Sequence, residues 1–173
     1  MLAVFESIIV TAATKWFPNE PYTVSLAAAV TAIVMVRWGP WAAIHAVIGG
    51  LVFCTFSGAG AKQYAIYCIG NLFSLGALIF LRRVGWEKIQ KDALTALFYG
   101  FLAQLLMHAG RAAVSVILGA AVSQAAGFFT TDIISYLFTL VLVWIARHPD
   151  GLMEDQTHYL LRVSREEEED RRI

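Results

Sequence analysis

The chain has 173 residues, 58% of them hydrophobic, with a mean hydropathy of +0.64 and a formal net charge of zero. A soluble domain is usually about 45–50% apolar, so the composition points to a membrane protein, and the length allows one domain of about six spans of roughly 20 residues each. A large soluble catalytic domain is excluded for want of chain, and a basic nucleic-acid footprint by the charge split: residues 1–147 carry nine Lys/Arg against five Asp/Glu, residues 148–173 four Arg against eight acids.

Hydrocarbon offers the backbone no water to bond, so each apolar run is expected to be a helix in an all-α, polytopic bundle. The first run, from Leu2 to Trp16, lacks a basic leader and a cleavage site and reads as a short span that is tilted, incomplete or partly interfacial. Phe17-Pro18-Asn19-Glu20-Pro21 is a break. The second run spans Tyr22 to Val36 and closes at Arg37. Gly39-Pro40 predicts a tight turn, with Pro40 suited to the first turn of the third run, which extends to about Phe56. Ser57 to Lys62 reads as a flexible loop, Gln63 to Leu81 as the fourth run, and Glu87 to Lys91 as a polar connection. The fifth run starts near Ala93 and could reach Val122, longer than a bilayer needs. A Ser/Gln/Gly loop precedes the sixth run, Thr131 to Ala146, closed by Arg147. Residues 1–147 are thus expected to be a six-helix membrane domain and 148–173 a charged cytoplasmic tail, with Leu152, Tyr159, Leu160 and Val163 a weak amphipathic stripe.

With the N-terminus inside, Arg37, Arg82, Arg83, Lys88, Lys91 and Arg147 fall in inside loops, and only Lys15 and Lys62 fall outside. This bias predicts six spans with both termini cytoplasmic. Dropping the first span would move the N-terminus outside and leave the rest unchanged.

Polar residues inside the runs mark candidate function. Arg111 lies roughly 27 Å along the fifth run at 1.5 Å per residue, in the outer part of the core, with His108 one turn below on the same face. Tyr64, Tyr67 and Asn71 share one face of the outer half of the fourth run. Asp132 and Tyr136 open the sixth, and Glu20, Tyr22 and Gln63 lie at the same level. The expected site is an outward-open polar pocket. Arg111 would hold an anionic or carbonyl group, His108, Asn71 and Asp132 would hydrogen-bond, Tyr64, Tyr67 and Tyr136 would stack or line, and Gln63 would stand at the mouth. Competing readings stand beside this one. Arg111 could snorkel to headgroups, pair with Asp132 or meet a partner subunit, interfacial tyrosines are ordinary, and a buried His is often only hydrogen-bonded. Trp38 and Trp41 read as interfacial anchors and His45 as a helix-packing hydrogen bonder. Cys54 and Cys68 read as small buried hydrophobes.

No His-Glu-x-x-His, Gly-x-Ser-x-Gly, Walker A or paired intramembrane Asp occurs, so neither an enzyme nor a cofactor is expected. No filter-like or inverted repeat points to a channel or a stand-alone transporter.

Phe17-Pro-Asn-Glu-Pro-Tyr-Thr-Val-Ser-Leu, Val36-Arg37-Trp-Gly-Pro-Trp-Ala-Ala, His45-Ala-Val-Ile-Gly-Gly and Ile69-Gly70-Asn71-Leu72 together resemble the substrate-binding S components of energy-coupling factor (ECF) vitamin transporters, over roughly Phe17 to Arg83. The resemblance implies a six-helix protein of the bacterial plasma membrane. It would capture a vitamin-like solute from outside near spans four to six and deliver it by toppling, together with a membrane coupling subunit and two cytoplasmic ATPases. Where the family's first span carries Ala-x-x-x-Ala, this chain has Ala3-x-x-x-Ser7-x-x-x-Thr11, while Ala28-x-x-x-Ala32 stands in the second. No vitamin-specific pocket motif is matched. A second resemblance, to membrane scaffolds of the rod-shape-determining MreD type, implies protein partners and no solute.

Overall fold

The computed structural model describes residues 2–16, 25–131, 133–149 and 151–171, which are helical with no strand among them. The helices are α1 (Leu2–Trp16), α2 (Ala27–Trp38), α3 (Ala42–Phe56), α4 (Ala61–Asn71), α5 (Ala77–Val84), α6 (Trp86–Lys91), α7 (Ala93–Ile117), α8 (Val122–Thr130), α9 (Ile133–Ala146) and α10 (Gln156–Asp170). Short 3₁₀ turns at Gly39–Trp41 and Leu72–Gly76 join α2 to α3 and α4 to α5. By length and composition, Ala27–Phe56, Ala61–Val84 and Ala93–Ile117 could cross a membrane, and a fourth crossing is counted if α8 and α9, bent by 43°, act as one.

The first of these stretches is folded double. A straight helix would separate Ala27 from Gly49 by about 33 Å, yet a Cβ added at Gly49 would lie 2.7 Å from the Cβ of Ala27. The chain reverses at Gly39, whose φ of 55° is left-handed, and Pro40 enters the turn that follows. The arms, 12 and 15 residues, rise roughly 18 and 22 Å, short of a ~30 Å hydrocarbon core.

α7 is the central helix and packs against α2, α4, α8 and α9. Its N-terminal half joins the main apolar core, where Ala96, Tyr99 and Ala103 meet Ala32, Met35, Val36, Ala77, Ile89 and Val143. Its C-terminal half crosses α4 at glycines. Gly70 lies against the backbone of Arg111, and Gly110 against the carbonyl of Gly70 and the ring of Phe73, so neither position has room for a methyl group. Large apolar side chains on the outer faces, among them Ile79, Leu94, Phe98, Leu137 and Val141, are exposed, as a lipid-facing surface requires.

Several boundaries differ from the expectations. The fifth run stops at Ile117, at a reversal through Gly119 with φ of 92°, and the Ser/Gln/Gly stretch after it is the helix α8. The polar connection contains α6, whose Ile89 is fully buried while Glu87, Lys88 and Lys91 are exposed. The tail is ordered against the bundle. Arg37 Nε donates to Gln156 Oε1 (2.6 Å), its terminal nitrogen to the Gly151 carbonyl (2.6 Å), and its guanidinium lies 4.4 Å from the Tyr159 ring centroid. Met153 is buried and Tyr159 of the expected stripe lies against Arg37, whereas Leu152 and Leu160 are exposed, so only part of that stripe docks the tail. Arg147 donates to the carbonyls of Gln90 and Lys91, which brings Arg37, Arg147, α6 and the tail to one basic end. His45, expected to hydrogen-bond, has a buried Nδ1 with no partner among the described residues.

Candidate functional site

The site begins with the crossing of α4 and α7. Because Gly70 and Gly110 let the two backbones touch, the side chains that flank them are forced together. Arg111 is 2% exposed, so it does not snorkel. Its Nε donates to Asn71 Oδ1 (2.8 Å), and a terminal nitrogen approaches Met107 Sδ (3.3 Å). The guanidinium carbon lies 4.5 Å from the centroid of the Tyr67 ring, which also stacks on Phe53 at 4.6 Å. Asn71 uses its other end as well: Nδ2 donates to the Ala46 carbonyl of α3 (2.9 Å). One amide therefore ties three helices together. A planar cation over an aromatic face is favourable, and more so when water is excluded.

A second branch runs down α7. Thr139 Oγ1 of α9 donates to Gln104 Oε1 (2.8 Å), and Gln104 Nε2 contacts His108 Nε2 at 2.6 Å. Because the amide nitrogen is the donor, Nε2 of the imidazole accepts, and the ring proton is assigned to Nδ1. The His108 ring lies 5.1 Å from Tyr136 and 6.2 Å from Phe129. His108, Gln104 and Thr139 are all buried.

A third branch comes from α1. Glu6 is fully buried, and its carboxylate accepts from Ser25 Oγ (2.6 Å) and from the Leu26 amide (2.7 Å), at the free N–H groups where α2 begins. The Ser25 amide donates to Ser135 Oγ of α9 (3.1 Å). Glu6 and Arg111 lie within electrostatic range of each other. The same contact locates α1. From Leu2 to Glu6 the helix rises only about 6 Å, whereas α2 carries the chain about 18 Å from Ala27 to the Arg37 end. α1 as described therefore does not extend from the basic end, as a full first span would.

Of the eight residues expected at the site, Asn71 and Tyr67 both contact Arg111, and the His108 ring packs near Tyr136. Tyr64 packs beside the cluster of Val10, Phe53, Cys54 and Tyr67 and bonds Thr55 through its hydroxyl (3.2 Å), a turn away from Arg111. Gln63 is elsewhere: its Oε1 accepts from the Gly60 amide (2.6 Å) and closes the start of its own helix. Asp132, Glu20 and Tyr22 lie outside the described residues. Glu6, Gln104 and Thr139 were not anticipated. Gln104 precedes His108 by one turn on the same face, and Glu6 is a lone acid in an apolar run, so both carried a usable signal. Among the described residues no group of His, Cys, Asp and Glu could hold a metal ion.

No protein family matches this chain, and neither a characterised protein nor a solved structure does.

Proposed function

We propose that the protein is the solute-capturing subunit of an ATP-driven importer of the ECF type. The bundle would sit in a bacterial plasma membrane with its basic end in the cytoplasm, and the Arg111 level would face outward. The observation that carries the reading is the convergence of Arg111, Asn71 and Tyr67, with His108 and Tyr136 beside them, at one level of the bundle. Polar groups in such a place are expensive and usually serve a cavity or a ligand. Arg111 would hold an anionic or carbonyl group, Asn71 would fix the guanidinium, and Tyr67, Tyr136 and His108 would line the flat part of a vitamin-like solute. The positive-inside bias supports the orientation. A membrane coupling subunit and cytoplasmic ATPases would be the partners at the basic end.

The test is thermal stability of the detergent-purified, ligand-free protein against a panel of water-soluble vitamins and related metabolites. Ligand that binds only the folded state stabilises it by ~2.7 kcal/mol at a hundredfold excess over Kd and raises the melting temperature with the logarithm of its concentration. The shift should shrink in Arg111→Lys and in Asn71→Ala. If folded protein responds to nothing in the panel, the scaffold reading with protein partners replaces this one.

A further inference from the structure

The elbow between α5 and α6 at the basic end belongs to no branch of the polar centre. We infer that it is a binding site for the phosphate headgroup of an anionic phospholipid. The residues from Arg82 to Lys91 hold four cations, Arg82, Arg83, Lys88 and Lys91, against Glu87; Asp92, next in the chain, interacts electrostatically with Lys88, and Asp155 of the tail lines a groove with Arg82, Gly85 and Trp86. A cavity of about 430 Å³ opens there, lined by Val84, Gly85, Trp86, Glu87, Lys88 and Lys91. Glu87 engages Lys91 at 3.6 Å, both exposed, while Lys88, Arg82 and Arg83 have no ion-pair partner among the described residues.

The elbow is a built feature. Gly85 turns the chain at φ 84°, a conformation other residues avoid. α6 is then pinned from both sides: Ile89 is fully buried in the main core, and Arg147 donates to the carbonyls of Gln90 and Lys91. Trp86 packs partly into that core and lies 5.5 Å from His158 of the tail. The lysines are therefore carried by a fixed frame and not by a loose loop.

What selects a lipid over a soluble anion is the flank. Ile79 of α5 and Leu94 and Phe98 of α7 are exposed, at 62%, 76% and 52%, and the Phe80–Phe98 ring contact (5.2 Å) joins the two helices beneath the elbow. The acyl chains of a lipid held at Lys88 and Lys91 would lie along this exposed apolar surface of the two helices that flank the elbow. Juxtamembrane cations attract anionic headgroups, each contributing modestly, and the attraction weakens with salt.

The experiment compares melting of the full-length protein in mixed micelles doped with phosphatidylglycerol, with phosphatidylcholine, or with inorganic phosphate at equal ionic strength. Wild type is set against K88Q/K91Q, at two exposed positions, with helical content checked by circular dichroism, and against K62Q at the far end. Phosphatidylglycerol should give a concentration-dependent upward shift larger than phosphatidylcholine gives. The double variant should lose more than half of it, K62Q should keep it, and added salt should reduce it. Equal shifts from both lipids, a full shift in K88Q/K91Q, or an equal shift from inorganic phosphate would each overturn the assignment, the last because the ligand would then be a free phosphate.

Discussion

Adding one methyl group at the crossing of α4 and α7 should loosen the whole polar centre. In Gly110→Ala the new Cβ would lie 2.2 Å from the Gly70 carbonyl oxygen and 2.6 Å from the Cβ and Cγ of Phe73. Non-bonded carbon contacts settle near 3.5–4.0 Å, so the two helices must separate by about 1 Å at this point. The nearest obstacle is backbone, which cannot swing away as a side chain can. Overpacking costs typically ~1–3 kcal/mol, and a clash with backbone belongs at the upper end; the better helix propensity of alanine returns at most ~1 kcal/mol, leaving a net loss of about 2 kcal/mol. At ~2–4 °C per kcal/mol for a chain of this size, the melting temperature in detergent should fall by several degrees. Gly127→Ala is the paired control, because nothing lies within 4 Å of a Cβ there. It should be neutral or slightly stabilising. The reasoning fails if Gly110→Ala melts with wild type, or if Gly127→Ala falls as far.

Replacing Glu6 by Ala leaves the Ser25 hydroxyl and the Leu26 amide without their acceptor. The expected loss is ~1–3 kcal/mol in thermal unfolding, with Glu6→Gln milder because it keeps one acceptor oxygen. Arg37→Met removes two hydrogen bonds to the tail and keeps apolar bulk. Limited proteolysis should then cut within residues 151–171 faster than in wild type, and an unchanged cleavage rate would show that the tail is held by other contacts. Asp92 caps α7, and hydrogen bonds from the Thr95 side chain and amide hold its carboxyl below the ordinary value of 3.8. A depressed folded-state pKa contributes stability that is present above 3.8 and lost as pH falls through the lower folded value. Asp92→Asn should therefore remove part of the acid-side loss when melting is followed from pH 6 to pH 3, and a profile identical to wild type would count against the cap.

How far the sequence could be read depended on the range of the interaction involved. Apolar runs and Gly/Pro turns act locally, so the all-helical class, the break at Gly39-Pro40 and the start of the long helix at Ala93 followed from composition and spacing alone. The clustering of basic residues at one end was also legible, since charge is excluded from apolar runs wherever they pack. The pairing of Arg111 with Asn71 and Tyr67 was half legible: helical spacing puts Tyr67 and Asn71 on one face, but only the glycine crossing of α4 on α7 brings that face to Arg111. Gln63 shared the level and not the site, because the nearest acceptor-seeking amide was that of Gly60, three residues away. Most dependent on tertiary structure was Glu6. Its run reads as a first span, and nothing in the run reveals that its carboxylate closes the start of α2 across 19 residues of chain. That contact holds α1 beside the polar centre and away from the basic end. A hydrophobic run reports that a helix will be buried in lipid or protein; where along the bundle it rests is decided by the one buried charge that must find its partners.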